Sequence, residues 1–586
     1  MGSTRRLNKT LGQLVLSVKS TNDFAASEAI SQLKHLLDGS CDELETLCDQ
    51  IRNMLEEEVF DERHLIDKSM AEQREHAMRM ATRVLHEGLI TVQDVRHNPV
   101  RVMAWFEKLS YASPEIALKF AVQFNLWGGC LAHLSGPHND TTQIEFLTDG
   151  TNNGSVLGAF ALTELGHGSN VARLQTTVRL DREKQCFELH TPSFIDQKYW
   201  PGGLFQNSTH AAVFARYTHD DGVDRGVHCF VVPLRSAPKL PPFDGIYVRD
   251  VGLTTCFPGM DNGGMAFHHV RLPLSSMLSR FAYVDADTLE YHASLPQHRL
   301  FGAHLAPFVG GRIAAAYICL GHLKAGLTLA TQYCRVRRQG GPGEDRLLLD
   351  HTPIRMRLGV ATAVAYGLSA ALRRLTNENI AADRSQDMKR MAQVHERAAC
   401  LKAWGVWWCH DMLQQCRECM GGQGLRSVNR VATLRDAVDM WSTGEGDNTV
   451  LLKSAAKGLI KGTLSTLENG SDFARDELDA VAQLRHVYSN AKDAVAKFDA
   501  LDDAIPQVKR ATLAHTRNYV LQALTEMRSQ NAQTDVLRRV FLAWASGNEP
   551  ELANLCSARL NKQGLPLVQL VRAFDVPQRL CRLDFP

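Results

Sequence analysis

The order in which two hydrophobic periodicities follow each other along the chain constrains its fold most strongly. Up to about residue 157 apolar side chains recur at spacings of three and four, which predicts amphipathic helices. From about 158 to 283 apolar and polar residues alternate in short runs, and the helical period returns after 284. This order is not the alternating βαβ pattern of a dinucleotide-binding Rossmann domain. The clearest helical stripe consists of Ile116, Phe120, Phe124, Trp127 and Leu131.

The alternating region contains several runs with the composition of β-strands. Antiparallel pairing is the simplest arrangement for short strands joined by turn-like segments such as Asp181–Lys184. Further along, Leu467–Asp472 has turn composition and separates two helical blocks. The predicted strands are Thr177–Leu180, Phe187–His190, His210–Tyr217, Val227–Arg235 and Gly264–Leu272.

The sequence therefore predicts an α+β multidomain protein. A chain of 586 residues exceeds the ~250 to 300 residues at which a single hydrophobic core stops growing. We predict an N-terminal helical domain (1–157), a central antiparallel β domain (158–283) and two C-terminal helical-bundle domains (284–468 and 469–586).

Charge and hydropathy argue against two classes of partner. With 65 basic and 64 acidic residues the net charge is +1, and the region after Ser471 mixes both signs, so no basic face for nucleic acid is visible. The most apolar run, Ile313–Ala330, is interrupted by His322 and Lys324, so we expect no integral membrane segment and a soluble protein.

Cysteine usage indicates a reducing compartment. Fourteen cysteines are spread over the chain without the dense spacing of a secreted disulfide scaffold. Cys416 and Cys419 form a CxxC pair, but no second pair or nearby histidine spacing accompanies them. We interpret this pair as structural and expect no metal.

Glu445 is the strongest catalytic candidate in the sequence. It lies between Gly444 and Gly446, just before a helical pattern that begins near Asn448. Flanking glycines allow the backbone to approach a ligand, and the positive end of the following helix would favour an anion there. The alternative is that Glu445 is an ordinary acidic residue near a helix N-terminus.

A set of motifs distributed over most of the chain resembles the acyl-CoA oxidase family within the acyl-CoA dehydrogenase superfamily. The resemblance runs from about residue 60 to the C-terminus, with the motifs in the family's order. The motifs are Gln123–Gly129, Thr163–Asn170, Lys198–Gly203, Asp261–Gly263, Gly310–Arg312, Tyr333 with Arg337–Gln339, Glu418–Gly424 and the loop around Glu445.

This resemblance implies a flavin enzyme that desaturates fatty acyl-CoA, with FAD as hydride acceptor because no side chain can accept a hydride. It implies that Glu445 is the base, that Arg312 lies near the acyl-CoA channel, and that Thr163 and Gly202 contact the flavin. Without the resemblance, Thr163 and Gly202 read as ordinary turn residues. Arg312 could equally form a helix-packing ion pair, and Arg337 could be a solvated arginine. The residues expected to contact the pyrophosphate and adenosine of FAD, partly across the subunit boundary of a homodimer, are Arg337, Gln339, Gly421, Gly422 and Gly424.

Two other functions remain open from the sequence. An acyl-CoA dehydrogenase performs the same half-reaction but passes electrons to a flavoprotein, whereas an oxidase uses O2 and releases H2O2. A non-catalytic acyl-CoA-binding protein could retain the fold. His167 has no nucleophile beside it, so we assign it no chemical role. Gly444 and Thr254–Pro258 depart from the family pattern, which leaves the acyl-chain preference open.

The N-terminus suggests a cellular address. Arg6, Leu7, Gln13 and Leu14 resemble the N-terminal peroxisomal import signal, which predicts an import receptor as partner and a peroxisome or glyoxysome-type organelle as location. The alternative is a mitochondrial presequence within residues 1–20, because the segment is acid-free and contains arginine and serine.

Overall fold

The structure, a computed structural model, describes residues 21–341, 343–385, 387–464, 472–559 and 567–583. The import signal predicted at Arg6, Leu7, Gln13 and Leu14 therefore lies outside the described residues. So does nearly all of the predicted boundary at Leu467–Asp472.

The N-terminal part is helical, as the periodicity predicted. Its stripe residues are buried, because Ile116, Phe120, Phe124 and Trp127 are each at most 1% exposed. Between two of its helices, Ala121–Trp127 is a π-helical stretch, a form that often occurs at functional sites. The helices are α1 (Thr21–Asp38), α2 (Asp42–Leu55), α3 (Met70–Glu87), α4 (Val92–His97), α5 (Pro99–Leu109), α6 (Pro114–Phe120), α7 (Gly128–Leu134) and α8 (Thr141–Asn153).

The strands follow in the middle of the chain. All five predicted runs contain strand residues, but the run Gly264–Leu272 is two strands separated by a turn at His268 and His269. The strands are β1 (Gly158–Ala161), β2 (Thr177–Asp181), β3 (Cys186–His190), β4 (Lys198–Tyr199), β5 (His210–Thr218), β6 (Asp224–Pro233), β7 (Ile246–Asp250), β8 (Gly263–Phe267), β9 (Val270–Pro273), β10 (Ala282–Val284) and β11 (Tyr291–Ala293).

The strands form two larger sheets and one hairpin. The first sheet has the order β1-β5-β2-β3-β9 with β6 paired to β5, the second has the order β4-β8-β7, and β10 pairs with β11. Most pairings are antiparallel, but β5 pairs in parallel with both β1 and β2. The sheet is thus mixed where the sequence predicted a purely antiparallel one, because pairing between strands distant in sequence leaves no local pattern.

Long helices return after the strands and carry the largest core. The helices are α9 (Gln297–Leu305), α10 (Val309–Val336), α11 (Thr352–Ser385), α12 (Met388–Cys419), α13 (Val431–Met440), α14 (Asn448–Lys461), α15 (Asp472–Ser489), α16 (Ala494–Asp503), α17 (Ile505–Gln530), α18 (Asp535–Ala545), α19 (Glu549–Asn554) and α20 (Leu567–Arg572). This confirms the predicted α+β class with helices on both sides of a β region. The domain boundaries stay a prediction.

Helix α10 is the central helix of this bundle. Most of its side chains are buried, including Lys324, whose Nζ lies 2.7 Å from Oε1 of Glu107 on α5. The helical stretch Gln297–Val336 is long and apolar enough to cross a membrane. Its most apolar window, however, is entirely buried inside the protein, as in the core helix of a globular fold.

Candidate active site

The loop that presents Glu445 connects the end of α13 to the start of α14. Asp447 caps α14 by accepting a hydrogen bond from the Val450 backbone N–H at 3.0 Å. Glu445 itself has φ of 56° and Gly446 has φ of 94°, so two consecutive residues adopt left-handed conformations. That conformation costs a non-glycine residue about 1 to 3 kcal/mol, and it persists only where the surroundings enforce it.

The Glu445 side chain points toward the first turn of α10. A methyl group built on Gly311 would lie 2.8 Å from Oε2 of Glu445 and 2.9 Å from Nδ2 of Asn125. Gly311 therefore leaves the space in which this carboxylate and this amide approach the helix. Asn125 belongs to the π-helical stretch, so the site joins three segments that are far apart in sequence.

Two cations influence the Glu445 carboxylate. Burial raises its pKa, and the positive charges of Lys402 and Arg312 oppose that rise. Burial in turn lowers the pKa of Lys402 to about 8 and lowers the pKa of Arg312, while Glu445 favours the charged form of both. A carboxylate whose pKa is raised by burial, with adjacent cations that favour its ionised form, has the properties of a general base.

Lys402 is a candidate functional residue that the sequence did not reveal. It is fully buried on α12, and its Nζ donates to the Gly446 carbonyl oxygen at 2.7 Å and to Oδ1 of Asn448 at 2.9 Å. These two hydrogen bonds tie the loop that carries Glu445 to helix α12. In the sequence, a lone lysine within a helical pattern is typical of a solvated face, so only spatial proximity identifies it.

Arg312 has a second neighbour on α12. Its Nη1 lies 3.1 Å from Nδ1 of His395, and burial together with Arg312 lowers the pKa of His395 to about 4. The imidazole is therefore neutral near pH 7 and does not compensate the arginine charge, whereas Glu445 favours the charged form of Arg312. The structure thus brings together Glu445 and Arg312, two of the residues predicted from the sequence.

Thr163 and Gly202 lie in the β region, on neighbouring segments. Oγ1 of Thr163 donates a hydrogen bond to the Tyr199 carbonyl oxygen at 2.7 Å. The hydroxyl oxygen of Thr163 therefore keeps lone pairs that can accept another hydrogen bond. The adjacent Trp200 has φ of 78° and is 56% exposed. An exposed tryptophan held in a strained conformation is a second feature that the sequence motif did not single out.

A buried ionic contact fixes the loop that follows Gly202. Asp261 accepts hydrogen bonds from the backbone N–H groups of Gln206 and Asn207 at 3.0 and 3.1 Å, and Nζ of Lys119 lies 3.2 Å from its Oδ1. The Gly263 N–H also donates to the Pro201 carbonyl oxygen at 3.0 Å. Helix α6 is thereby tied to the segment around Gly202.

A shallow pocket that is open to solvent and encloses a cavity volume of only about 50 Å³ lies between the N-terminal helices and the β region. Its lining is mostly apolar and includes Gly202. A methyl group on Gly202 would meet the Met260 side chain at 2.9 Å and Val122 at 3.1 Å, both of which also line the cavity. The other lining residues include Met78, Ala81, Leu85, Phe120 and Leu157.

The two departures from the family pattern meet at Met440. A methyl group on Gly444 would lie 2.9 Å from Sδ of Met440, so this sulfur occupies space beside the glycine. Met440 also packs against the buried cluster that contains Cys256 and Phe257. The residues before Glu445 and the segment Thr254–Pro258 are therefore coupled through one flexible side chain.

The residues predicted to bind the pyrophosphate and adenosine lie elsewhere. Arg337 and Gln339 are exposed just beyond the end of α10, and Gly421 and Gly422 are exposed just beyond the end of α12. Both helix ends are adjacent, since Sγ of Cys334 donates to the Cys419 carbonyl oxygen at 3.7 Å.

Gly424, predicted with this group, is buried, and a methyl group there would lie 2.3 Å from the Arg417 carbonyl oxygen. In the structure it packs closely against the last turn of α12.

Three residues that the sequence left without chemistry are held by contacts or burial. Nδ1 of His167 lies 3.1 Å from Oε2 of Glu164, a carboxylate that also accepts from the Gln175 N–H and lies near Nζ of Lys198. Cys416 and Cys419 are buried free thiols at the end of α12.

Comparison with known proteins identifies relatives of this chain. Residues 306–460, which include Arg312, Lys402 and Glu445, match the family "Acyl-CoA oxidase, C-alpha1 domain". The chain is 35% identical over 416 residues to "Acyl-coenzyme A oxidase 2, peroxisomal" of Arabidopsis thaliana, an alignment that covers 69% of this chain and 59% of that relative. It is 29% identical over 417 residues to "Peroxisomal acyl-coenzyme A oxidase 3" of Homo sapiens, with 70% and 59% covered.

Solved structures share the fold over almost the whole chain. Acyl-CoA oxidase 1 of Yarrowia lipolytica superimposes with a TM-score of 0.82 at 20% identity, covering 94% of this chain and 89% of that structure. Acyl-CoA oxidase-2 of Caenorhabditis elegans, solved with FAD, ascaroside-CoA and ATP, gives a TM-score of 0.79 at 20% identity with the same coverage.

Proposed function

Because the chain belongs to the acyl-CoA oxidase family, we propose that it oxidises fatty acyl-CoA to trans-2-enoyl-CoA with FAD, and that O2 reoxidises the reduced flavin to give H2O2. This is the first step of peroxisomal fatty acid β-oxidation. The observation that carries the proposal is the Glu445 carboxylate, which lies at the first turn of α10 with Lys402 and Arg312 beside it.

Glu445 is the group that removes the proton from the carbon next to the thioester. Burial makes the carboxylate more basic, and the cations beside it favour its ionised form. Once the carboxylate takes the proton, the charge beside Lys402 and Arg312 is lost, while negative charge develops on the thioester oxygen. The nearby cations and the Glu445 backbone N–H favour that redistribution.

The β segment around Thr163 fits a flavin ring. The backbone of 163–166 pairs with that of 195–199, and four exposed apolar residues lie within or directly beside these two paired segments. Exposed apolar clusters of this kind mark surfaces that a ligand or partner covers. Bound FAD would supply the acceptor for the hydride that leaves the β-carbon. The exposed side chains are Leu165, Phe194, Ile195 and Trp200.

The position of Arg337 supports a homodimer. Arg312 and Arg337 stand at opposite ends of α10, about 37 Å apart at a rise of about 1.5 Å per residue. An extended dinucleotide cannot reach from the flavin position near Glu445 to Arg337 of the same chain. Arg337, Gln339, Gly421 and Gly422 are therefore proposed to contact FAD that is bound to a second copy of the chain.

The apolar cavity beside Gly202 is the proposed site for the fatty acyl chain. Its lining residues Met78, Ala81 and Leu85 on α3 are apolar, as an alkyl tail requires, and the one charged residue among those that line it, Lys119, is paired with Asp261. Met440 stands between Gly444 and the cluster of Cys256 and Phe257, where it can restrict the shape of the acyl site near Glu445.

Peroxisomal location follows from the relatives, since "Acyl-coenzyme A oxidase 2, peroxisomal" carries that address in its name. We propose the same compartment for this chain. The import receptor would read Arg6, Leu7, Gln13 and Leu14, and a mitochondrial location is the alternative. A fluorescent fusion of the full chain tests this, and Arg6→Ala combined with Leu7→Ala should leave the fusion in the cytosol.

Peroxide formation tests the proposed reaction. The purified chain is mixed with palmitoyl-CoA in air without any other electron acceptor, and H2O2 is measured with a coupled peroxidase. An oxidase produces H2O2 in proportion to enoyl-CoA. If enoyl-CoA forms only when an electron-transfer flavoprotein is added, the protein is a dehydrogenase. If the preparation is colourless and forms neither product, the non-catalytic alternative holds.

A further inference from the structure

Three histidines meet where the chain passes from one sheet to the other. His190 ends β3 in the larger sheet, and His268 and His269 form the turn between β8 of the smaller sheet and β9 of the larger one. One ring nitrogen from each of the three lies within 4.8 Å of the other two. The rings of His190 and His269 have centroids 4.3 Å apart.

The backbone fixes this arrangement on both sides of His190. Leu189 pairs with Val270 in the register of β3 and β9, while the Thr191 N–H donates to the Phe267 carbonyl oxygen at 2.8 Å. His269 adopts a left-handed conformation with φ of 50°, which turns its side chain toward β3. The cluster is therefore determined by strand pairing, and only the ring torsions remain free.

The ring nitrogens of His190 and His269 have lone pairs available for a metal ion. Nδ1 of His190 is buried and has no hydrogen-bond partner among the described residues. Nδ1 of His269 lies 2.9 Å from Oε1 of Glu188, which fixes that tautomer and leaves Nε2 with its lone pair outward. A carboxylate behind a histidine in this way is typical of zinc-binding histidines, where it orients the ring and raises its basicity.

Both an acidic residue and basic residues surround the histidine cluster. Glu188 faces Arg179 on β2 and Arg271 on β9 in the strand registers, so its negative charge is partly neutralised. Three neutral imidazoles with an open fourth position nevertheless form a common ligand set for Zn²⁺. Zn–N distances of about 2.0 to 2.1 Å would require small ring rotations, which the two exposed histidines can make.

We propose that His190, His268 and His269 bind one Zn²⁺ ion that clamps the β8–β9 turn of the smaller sheet to the end of β3 in the larger sheet. Water would complete the tetrahedral coordination of the ion. The ion would act on the packing of the two sheets, because the cluster contains none of the residues around Glu445, Thr163 or Gly202. It would hold together the two sheets that present Thr163 and Gly202 to the flavin position.

Zinc titration of the full-length, FAD-loaded chain tests this. The protein is stripped of metal with a chelator and titrated with ZnCl2 in competition with a chromophoric chelator. We expect one tight site per chain that is lost in His269→Ala. Glu188→Gln should keep the site with about 10- to 100-fold weaker binding, as found for residues that support metal-bound histidines. His298→Ala, which removes another exposed histidine, should bind zinc like the parent.

Thermal unfolding gives an independent readout. Zinc should raise the melting temperature of the parent and of His298→Ala but not that of His269→Ala, because an ion that binds only the folded state stabilises it. Folding of each variant is checked from the FAD absorbance and the circular dichroism without zinc. The proposal is overturned if His269→Ala and a His190→Ala/His269→Ala double variant bind zinc as tightly as the parent.

Discussion

Nζ of Lys402 donates a hydrogen bond to the carbonyl oxygen of Gly446 at 2.7 Å, so a buried cation supports the loop on which Glu445 is held. The same ammonium group donates to Asn448 at the start of α14. Lys402 thus acts on the proposed base in two ways. It holds the left-handed backbone at positions 445 and 446, and its charge favours the ionised form of the carboxylate.

Lys402→Met should change the pH dependence of the reaction. Burial raises the Glu445 pKa and Lys402 opposes the rise, so removal of the cation raises that pKa further. A base with a higher pKa is protonated up to a higher pH, so the acid limb of kcat/KM should move to higher pH. We also expect kcat to fall by roughly tenfold, equal to about 1.4 kcal/mol, because the loop loses two hydrogen bonds.

Lys453→Met is the matched control, since Lys453 lies on α14 and pairs with Asp502 at the protein surface. It should show the parental pH profile. A purely structural role for Lys402 would lower activity at every pH by the same factor. An acid limb that stays at its parental pH in Lys402→Met would therefore contradict the electrostatic part of the account.

Gly311→Ala should disable the site without unfolding the protein. The added methyl group would lie under 3 Å from Oε2 of Glu445 and from Nδ2 of Asn125, so one of them must move. Displacement of a base by about 1 Å costs on the order of 100-fold in rate. Gly302→Ala is the control, because a methyl group there meets no atom within 4 Å. Equal kcat values for the two variants, each with FAD bound, would show that this contact does not position Glu445.

Mixed dimers test the contact between subunits. Glu445→Gln and Arg337→Ala chains, each with little activity alone, are unfolded together, refolded with FAD and assayed. If Arg337 serves the flavin of the partner subunit, one of the two sites in each mixed dimer is complete, and about a quarter of the parental activity should return in a random mixture. If Arg337 serves its own chain, every site carries a defect and no activity returns.

The sequence predicted the long helices and the position of Glu445, because both depend on local patterns. Helices α10, α11 and α12 have sustained periodicity, and Glu445 lies between two glycines. It did not predict the parallel pairing of β5 with β1 and β2, since strand partners distant in the chain leave no local signal. The strand break at His268 and His269 was missed because this turn contains neither glycine nor asparagine.

In the candidate active site, too, some residues were predicted from local motifs and others were found only in the folded structure. Arg312 and Glu445 were recognised from their motifs, whereas Lys402 and Asn125 become functional only through contacts made by folding. The predicted contact of Gly424 with FAD stays a prediction, and in the fold its missing side chain is required by the Arg417 carbonyl group. The motif did not give this physical reason for the glycine.

Flavin reduction under anaerobic conditions tests the role of Glu445 most directly. Parent and Glu445→Gln, both loaded with FAD, are mixed rapidly with palmitoyl-CoA, and the flavin absorbance is followed. In the parent the absorbance should bleach, and in Glu445→Gln it should bleach at least about 100-fold more slowly with FAD still bound. Bleaching of Glu445→Gln at the parental rate would contradict the assignment of this carboxylate as the base.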